Sequence, residues 1–299
     1  MNKSTLKQKI KLFLSFLPDR AYIKLYFKKN LHRKLDLNEP KTLNEKLQWM
    51  KFNYRNPLYS IVSDKYAVRE YVKEKIGEEY LIPLYGSWDR VEDVNIESLP
   101  NSFVLKCNHD SGGLCICKDK SKLNWKKSKK ALNKSLKINF YNIGREYQYN
   151  AIKRKIICEK FIGEDDNVPD DYKIYCFNGK PYVILLCKDR FSTGSHRAKY
   201  LFFSKDWEFL RLDKGDEKLE IPNIPKPENL DKMFEIAEIL SKDFIFARID
   251  LYNIKGKIYF GEITLSPNAG FDADLTYETD LDFGNRLEIP YWNQINHKI

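Results

Sequence analysis

The spacing of apolar residues changes along this chain. Over the first hundred residues it is helical. TLNEKLQWM opens on Thr42 with Glu45 three places on, which predicts a capping box. SDKYAVREYVKEKIG follows, with Ser63 as the expected N-cap and Gly77 as the stop. EEYLIPLYGSW reads as a short strand after that helix. From Ser102 the texture turns to strands. SFVLKCNHDSGGLCICKDK predicts a strand, a polar glycine loop and a second strand. A lysine-rich helix is expected over roughly residues 125 to 143, then KIICEKFI as an apolar strand. DYKIYCFNGKPYVILLCKDR predicts two strands about Asn178-Gly179, a strong hairpin dipeptide. In ENLDKMFEIAEILSKD, Leu230, Met233, Phe234, Ala237 and Leu240 share one helical stripe, which predicts a core-facing helix. ARIDLYNIKGKIYFGEITLSPNAGF then gives two strands about a turn near Ile254 to Lys257, where Gly256 supplies a positive φ. Strands grouped in hairpins, without regular βαβ alternation, predict an α+β architecture.

The 299 residues suffice for one large domain or two or three small ones, and no apolar run reaches the length of a membrane span. The N-terminus, MNKSTLKQKIKLFLSFLPDR, has its apolar stretch broken by Lys11 and no small-residue cleavage site after it. It reads as an amphipathic helix that packs on the protein or touches a membrane surface. Six cysteines without a CxxC pair argue against a zinc or redox motif and for reduced, buried thiols in a cytoplasmic protein. A formal charge of +10 suits anionic partners without choosing between nucleotide, acidic glycan, nucleic acid and anionic lipid.

Alternation puts Arg248, Asp250 and Tyr252 on one strand face, and Phe260, Glu262 and Thr264 on one face of the next strand. Folding about the turn sets Asp250 opposite Glu262 to within two residues, with a different register as the alternative. Opposed like charges destabilise a sheet, so something must neutralise them. A divalent cation shared with phosphates would do so; so would Arg248 or a lysine. Thr264, Asn268 and Gly270 form the polar edge of this hairpin. Upstream, Lys106 interrupts an apolar strand just before Ser111, Gly112 and Gly113. Burying an ammonium is costly, and amides of a glycine turn cradle anions. His109 is either a loop-tip residue or a substrate contact. Arg190, His196 and Arg197 in CKDRFSTGSHRAKY form a basic loop, either solvated or facing an anionic acceptor. No Ser-His-Asp or Cys-His grouping is evident.

Taken in order, SDKYAVREYV, FVLKCNHDSGG, ICEKFI, DYKIYCFNGKPYVI, ARIDLY and GEITLSPNAGF resemble the ATP-grasp enzymes. The resemblance is to the teichuronopeptide-biosynthesis (TupA-like) branch found in bacterial capsule and surface-polysaccharide clusters. It runs from about Pro40 to Phe271, and NEKLQWMKF and IGEEYLIPLYG share it. It implies an α+β, ATP-grasp fold: a mostly helical lobe over 1–101, a small α+β lid over 102–160 and an antiparallel-sheet core with the metal site over 161–299. The nucleotide would lie between lid and core, with ATP and Mg²⁺ as cofactors. By resemblance, Lys65 and Lys106 contact the nucleotide, Ser111, Gly112 and Gly113 close over its phosphates, and Glu159 approaches it from the linking strand. Lys173 lies near phosphate or substrate. Arg248 stabilises the transferring phosphoryl, and Asp250 and Glu262 hold the metal. Many of these ligases carry asparagine where this chain has Thr264, whose hydroxyl would bind a metal or its water more weakly, so Thr264 is the third metal residue and the second metal site stays open.

The activity implied is an ATP- and Mg²⁺-dependent carboxylate–amine ligase working through an acyl phosphate. It would join an amino acid or other amine to a uronic-acid-type carboxylate, with His109, Arg190, His196, Arg197 and Asn268 as substrate contacts. No nucleic-acid partner is expected; peripheral contact with the inner membrane face stays open. Two other readings stand beside it. One is a glycosyltransferase or phosphotransferase of surface-polysaccharide synthesis; the other is a non-catalytic basic binding module.

Overall fold

The computed structural model describes residues 17–163, 168–188 and 198–289. Most of the expected N-terminal amphipathic helix lies outside the described residues, as do Arg190, His196 and Arg197.

The first third is helical: α1 (Asp19–Leu31), α2 (Leu43–Asn53), α3 (Leu58–Val62) and α4 (Val68–Ile76). The capping box forms as the spacing required. The Thr42 hydroxyl accepts from the Glu45 amide, and Glu45 Oε2 accepts from the Thr42 amide at 3.0 Å. Ser63 does not cap the next helix. It ends α3, and the Asp64 carboxylate accepts instead from the amides of Tyr66 (2.8 Å) and Ala67 (3.3 Å). An aspartate reaches two amides in such a turn, so it takes the place expected of the serine. Gly77 ends α4 at φ 108°.

Two antiparallel sheets follow. The smaller has the order β1-β4-β2-β3, from β1 (Leu84–Trp88), β2 (Phe103–Cys107), β3 (Leu114–Cys117) and β4 (Ile156–Lys160). Its first strand thus comes from upstream of residue 102. The lysine-rich helix, α5 (Trp125–Leu136), covers one face of this sheet through Leu132. It stops short of residue 143, and a separate turn, α6 (Tyr141–Gly144), follows.

The larger sheet has the order β10-β9-β5-β6-β7-β8. Its strands are β5 (Asp171–Phe177), β6 (Lys180–Lys188), β7 (Lys199–Phe203), β8 (Phe209–Leu210), β9 (Phe246–Ile254) and β10 (Lys257–Thr264). The β5–β6 turn has positive φ at Asn178 and Gly179, as the dipeptide required. One face of this sheet packs on α7 (Leu230–Ser241), whose five predicted stripe residues are all buried. Rings of Tyr175, Phe177 and Phe202 meet Phe283 of α8 (Tyr277–Arg286) in the same core, and Phe246 packs on Tyr175 and Phe177.

The β9–β10 hairpin turns at Lys255 (φ 49°) and Gly256 (φ 78°), and Glu262 falls opposite Asp250. One expectation fails here. Phe260 does not share a face with Glu262; it is 5% exposed and belongs to the core. A bulge at Gly261 adds a residue between Phe260 and Glu262 and reverses the alternation. A Cβ at Gly261 would stand 2.9 Å from the Asp250 carbonyl oxygen, so the bulge requires glycine.

Helix α2 holds the C-terminal helix. Lys46 Nζ donates to the carbonyls of Gly284 (2.7 Å) and Leu287 (2.8 Å), and the Asn44 amide donates to Asp280 at 2.9 Å. The helices approach so closely that a Cβ at Gly284 would lie 2.0 Å from the Lys41 carbonyl oxygen. Gly284→Ala should therefore lower the melting temperature, although alanine is better in a helix by about 1 kcal/mol. Thermal unfolding checks this; an equal or higher midpoint would show that α8 can retreat without cost.

Candidate functional site

A cleft of about 580 Å³ lies between the two sheets. Alternation in β2 and β3 presents Val104, Lys106, Leu114 and Ile116 to it and buries the intervening residues against α5. With Ile82, Phe161 and Ile162 these side chains form an apolar slot along the backbone leaving β4. Such a slot suits a flat heteroaromatic ring, with backbone groups available for hydrogen bonds.

Charge gathers beyond the slot. Lys106 Nζ meets Glu159 Oε2 at 2.6 Å, and Arg69 reaches Glu159 Oε1 at 3.4 Å. Lys65, in the turn between α3 and α4, donates its ammonium to the Asp110 carbonyl. Burial lowers the Lys65 pKa, against the pull of Glu262. Ser111 and Gly112 are the exposed tip of the glycine loop and line the cleft. His109 is 2% exposed and lines neither cavity; its Nε2 sits 3.1 Å from the Ile138 carbonyl beyond α5.

The opposite wall is a row across three strands. Lys173 on β5 faces Asp250 on β9, which faces Glu262 on β10. The next row sets Tyr175 against Arg248 and Arg248 against Thr264. Asp250 is 2% exposed and takes Arg248 Nε at 2.7 Å, Arg248 Nη2 at 2.8 Å and the Lys173 ammonium. Burial works against the charge on both cations, yet both pKa values are raised. Asp250 is the main cause, assisted by Glu262, and for Lys173 also by Asp171 at 3.3 Å. Arginine and lysine thus neutralise the paired acids, as one expectation had it.

Glu262 points into the cleft with its side chain 37% exposed, 3.6 Å from Arg248 Nη2. Thr264 Oγ1 accepts from Arg248 at 3.2 Å and lies 3.4 Å from Glu262 Oε1, so its hydroxyl orients both side chains. Glu262 faces the cleft and could hold a hard cation; both Asp250 oxygens are already engaged by Arg248 and Lys173, so Asp250 could join it only by giving up part of those contacts. Among the described residues no three His, Cys, Asp or Glu side chains gather as a metal cage. The other ligands would be phosphate oxygens and water, as Mg²⁺ prefers.

A second cavity of about 810 Å³ opens beside the first, and the two share Lys65, Lys173, Tyr200 and Glu262. Arg248 and Thr264 line it beside Glu262 at the shared wall, and Asn268 lines it too. Asn268 and Ala269 take left-handed φ values of 48° and 53° in the turn after β10. Elsewhere its walls carry Tyr149, Glu146, Asp213 and Asp272. Burial, then Asp272, Asp216 and Asp274, push the Asp213 pKa up to about 7, with Lys214 opposing.

The structure thus brings Lys65, Lys106, Ser111, Gly112, Gly113, Glu159, Lys173, Asp250 and Glu262 to one cleft, with Arg248, Thr264 and Asn268 beside it. Arg69, Phe161, Tyr149, Asp213 and Asp272 were missed. Arg69 sits one helical turn past Lys65, a hint that spacing could have supplied; the other four lie in irregular segments without a periodic signal.

A family model described as TupA-like ATP-grasp matches residues 45–288. Among solved structures, the chain is similar to the D-alanine–D-alanine ligase of Bacillus anthracis complexed with ATP. That match has 17% identity and a TM-score of 0.50, covering 87% of this chain and 77% of that one. The L-amino acid ligase of Bacillus licheniformis is 15% identical over 84% of this chain and 56% of its own, with a TM-score of 0.46. The chain therefore spans little more than half of that enzyme's length. At these identities the likeness shows the fold. No curated protein matches.

Asp213 generates a prediction. Its folded pKa lies above the ordinary 3.8, so the folded state holds the extra proton between roughly pH 4 and 7. That favourable contribution is complete at low pH and is lost as pH rises through about 7. Asp213→Asn should therefore raise the melting temperature more at pH 8 than at pH 5. Equal shifts at both values would show an unperturbed carboxyl.

Proposed function

The chain belongs to the TupA-like ATP-grasp family, and from that membership we propose that it is an ATP-dependent ligase forming a carbon–nitrogen bond. The observation that carries the reading is the sharing of Lys65, Lys173 and Glu262 by a nucleotide-sized cleft and a second, larger cavity. A phosphoryl group held at that shared wall would be within reach of an acceptor on the other side.

In this reading the adenine lies in the slot of Ile82 and Phe161, and the phosphates run past Lys106 towards Lys65 and the loop tip. Asp250 and Glu262 would hold Mg²⁺, which supplies charge neutralisation across the phosphate oxygens. A substrate carboxylate oxygen attacks the γ-phosphorus; the bond to the β-phosphate oxygen breaks and ADP leaves. The product is an acyl phosphate. An amine nitrogen then attacks its carbonyl carbon, the carbon–oxygen bond to phosphate breaks, and inorganic phosphate departs. Arg248 meets the charge that builds on the phosphoryl oxygens. Its two bonds to Asp250 fix the guanidinium beforehand, so little reorganisation is needed during the reaction. Lys173 meets the same charge from the neighbouring strand.

The acceptor cavity carries Arg248 near the shared wall and Asp213 and Asp272 among its other linings. A lining with both signs of charge suits a substrate pair that brings a carboxylate and an amine. A cavity of this size admits a ligand larger than a free amino acid. We take the acid to be a uronic-acid-type carboxylate of a capsule or surface polysaccharide, or of its precursor, and the nucleophile to be an amino acid or other amine. The reaction consumes ATP, and we place it in the cytoplasm.

The direct test is ATP consumption by the purified protein with uronic acids and amines, and mass spectrometry for an amide product. ATP turnover dependent on both substrates, with free phosphate and an amide, is expected. Phosphate attached to the sugar, or glycosyl transfer without ATP use, would sink the ligase reading. Glu262→Gln should lower turnover by about a hundredfold or more while leaving the melting temperature near wild type. Lys106→Ala should raise the nucleotide dissociation constant about tenfold. An unchanged constant would remove Lys106 from the phosphate path.

A further inference from the structure

The glycine loop between β2 and β3 is tied down everywhere but at its tip. The Cys107 amide donates to the Gly113 carbonyl at 2.9 Å, and the Lys65 amide to the Asn108 carbonyl at 2.9 Å. The Asp110 side chain, 5% exposed, accepts from the Gly113 amide at 3.0 and 3.2 Å. Its carbonyl accepts from the Lys65 ammonium. Bonds also leave the site: His109 Nε2 sits 3.1 Å from the Ile138 carbonyl, the Asn108 amide donates to the Lys155 carbonyl at 3.1 Å, and Ser135, in the last turn of α5, donates its hydroxyl to Asp110 Oδ2. Ser135 is itself 5% exposed, and a Cβ at Gly113 would stand 2.5 Å from its oxygen. Helix and loop are in direct contact there.

The tip is different. Ser111 and Gly112 are exposed at the cleft wall, and no acceptor for their amides is found among the described residues. A Cβ at Gly112 would meet nothing within 4 Å, so packing does not demand that glycine. Two unengaged amides on a loop with a fixed base form an anion cradle whose aim depends on the base. A flexible base would have to be ordered at each binding event, at the expense of affinity.

We propose that Ser135, on a helix outside the site, is a positioning residue for the triphosphate. Through Asp110 it fixes the base of the glycine loop and so aims the amides of Ser111 and Gly112. The inference rests on the reading of the cleft as an ATP site. It concerns only the phosphate end, since Ser135 lines neither cavity and does not reach the adenine slot.

The test compares ATP with AMP as calorimetric ligands of the full chain, each with magnesium present. Wild type should bind both. In Ser135→Ala the ATP dissociation constant should rise about tenfold, the worth of one buried hydrogen bond, while AMP stays within about twofold. The melting temperature serves as a control, because a merely structural serine would move both ligands together or neither. If alanine fails to fold, Ser135→Cys keeps the volume with a weaker donor and should show the same split in smaller measure. Restoring the hydroxyl with Ser135→Thr should recover ATP binding. Unchanged ATP affinity in a folded variant, or equal losses for ATP and AMP, overturns the positioning role and leaves the ligase reading intact. A wild-type protein that binds no ATP overturns the ligase reading, and this inference with it.

Discussion

The site depends on the register between β5, β9 and β10. Lys173, Asp250 and Glu262 lie side by side because those strands pair as they do. Their neighbours along the chain, Ile174, Ile249, Leu251 and Ile263, point the other way into the core. A slip of one residue would send Asp250 into that core and Ile249 into the cleft. The hydrophobic face therefore sets the position of the charged face. Asp250, at 2% exposure, could not be buried alone. Removing one partner of a buried ion pair costs about 3–5 kcal/mol, and here one carboxylate answers to both Arg248 and Lys173. The stability of the sheet and the charge lining the cleft thus draw on the same ions.

The bulge at Gly261 separates the roles of the two acids. Asp250 sits in the regular part of the ladder, closed in by cations. Glu262 follows the extra residue and leans into the cleft. The first is a fixed anchor for Arg248. The second remains accessible to a ligand, with Thr264 setting its direction. Without the bulge Glu262 would pair with Ile249 and turn to the core face.

Local signals were the legible ones. The capping box at Thr42, the turns at Asn178 and Gly256 and the stripe on α7 all follow from spacing within a few residues, whereas spacing set Asp250 opposite Glu262 only to within a residue or two. The bulge escaped because a single glycine in a strand does not announce which way the ladder shifts. Lys173 beside Asp250 also escaped derivation, since a pairing across 77 residues is decided by tertiary packing. The second cavity left no trace, because Tyr149, Asp213 and Asp272 come from three irregular segments. Net charge was a poor guide too. Lys126, Lys127 and Lys130 of α5 face solvent, whereas Lys65, Lys106, Lys173 and Arg248 in the cleft are partly or wholly buried.

The helical N-terminal region is more than a neighbour of the site. Asn268 and Ala269 hold left-handed backbone angles that cost non-glycine residues of order 1–3 kcal/mol each. Something must offset that strain, and α2 does. Gln48 donates to the carbonyls of Ala269 and Gly270, and Lys51 Nζ donates to those of Ala269 and Gly144, each at 2.7 Å. Lys51 is buried enough for its pKa to fall to about 8, so its bonds come at a desolvation cost of their own. A buried lysine spent on two backbone carbonyls makes sense only if the shape of that turn matters. The turn places Asn268 on the wall of the second cavity, which Thr264 and Arg248 also line. The capping box that starts α2 is thus linked, through one helix, to the wall of the second cavity.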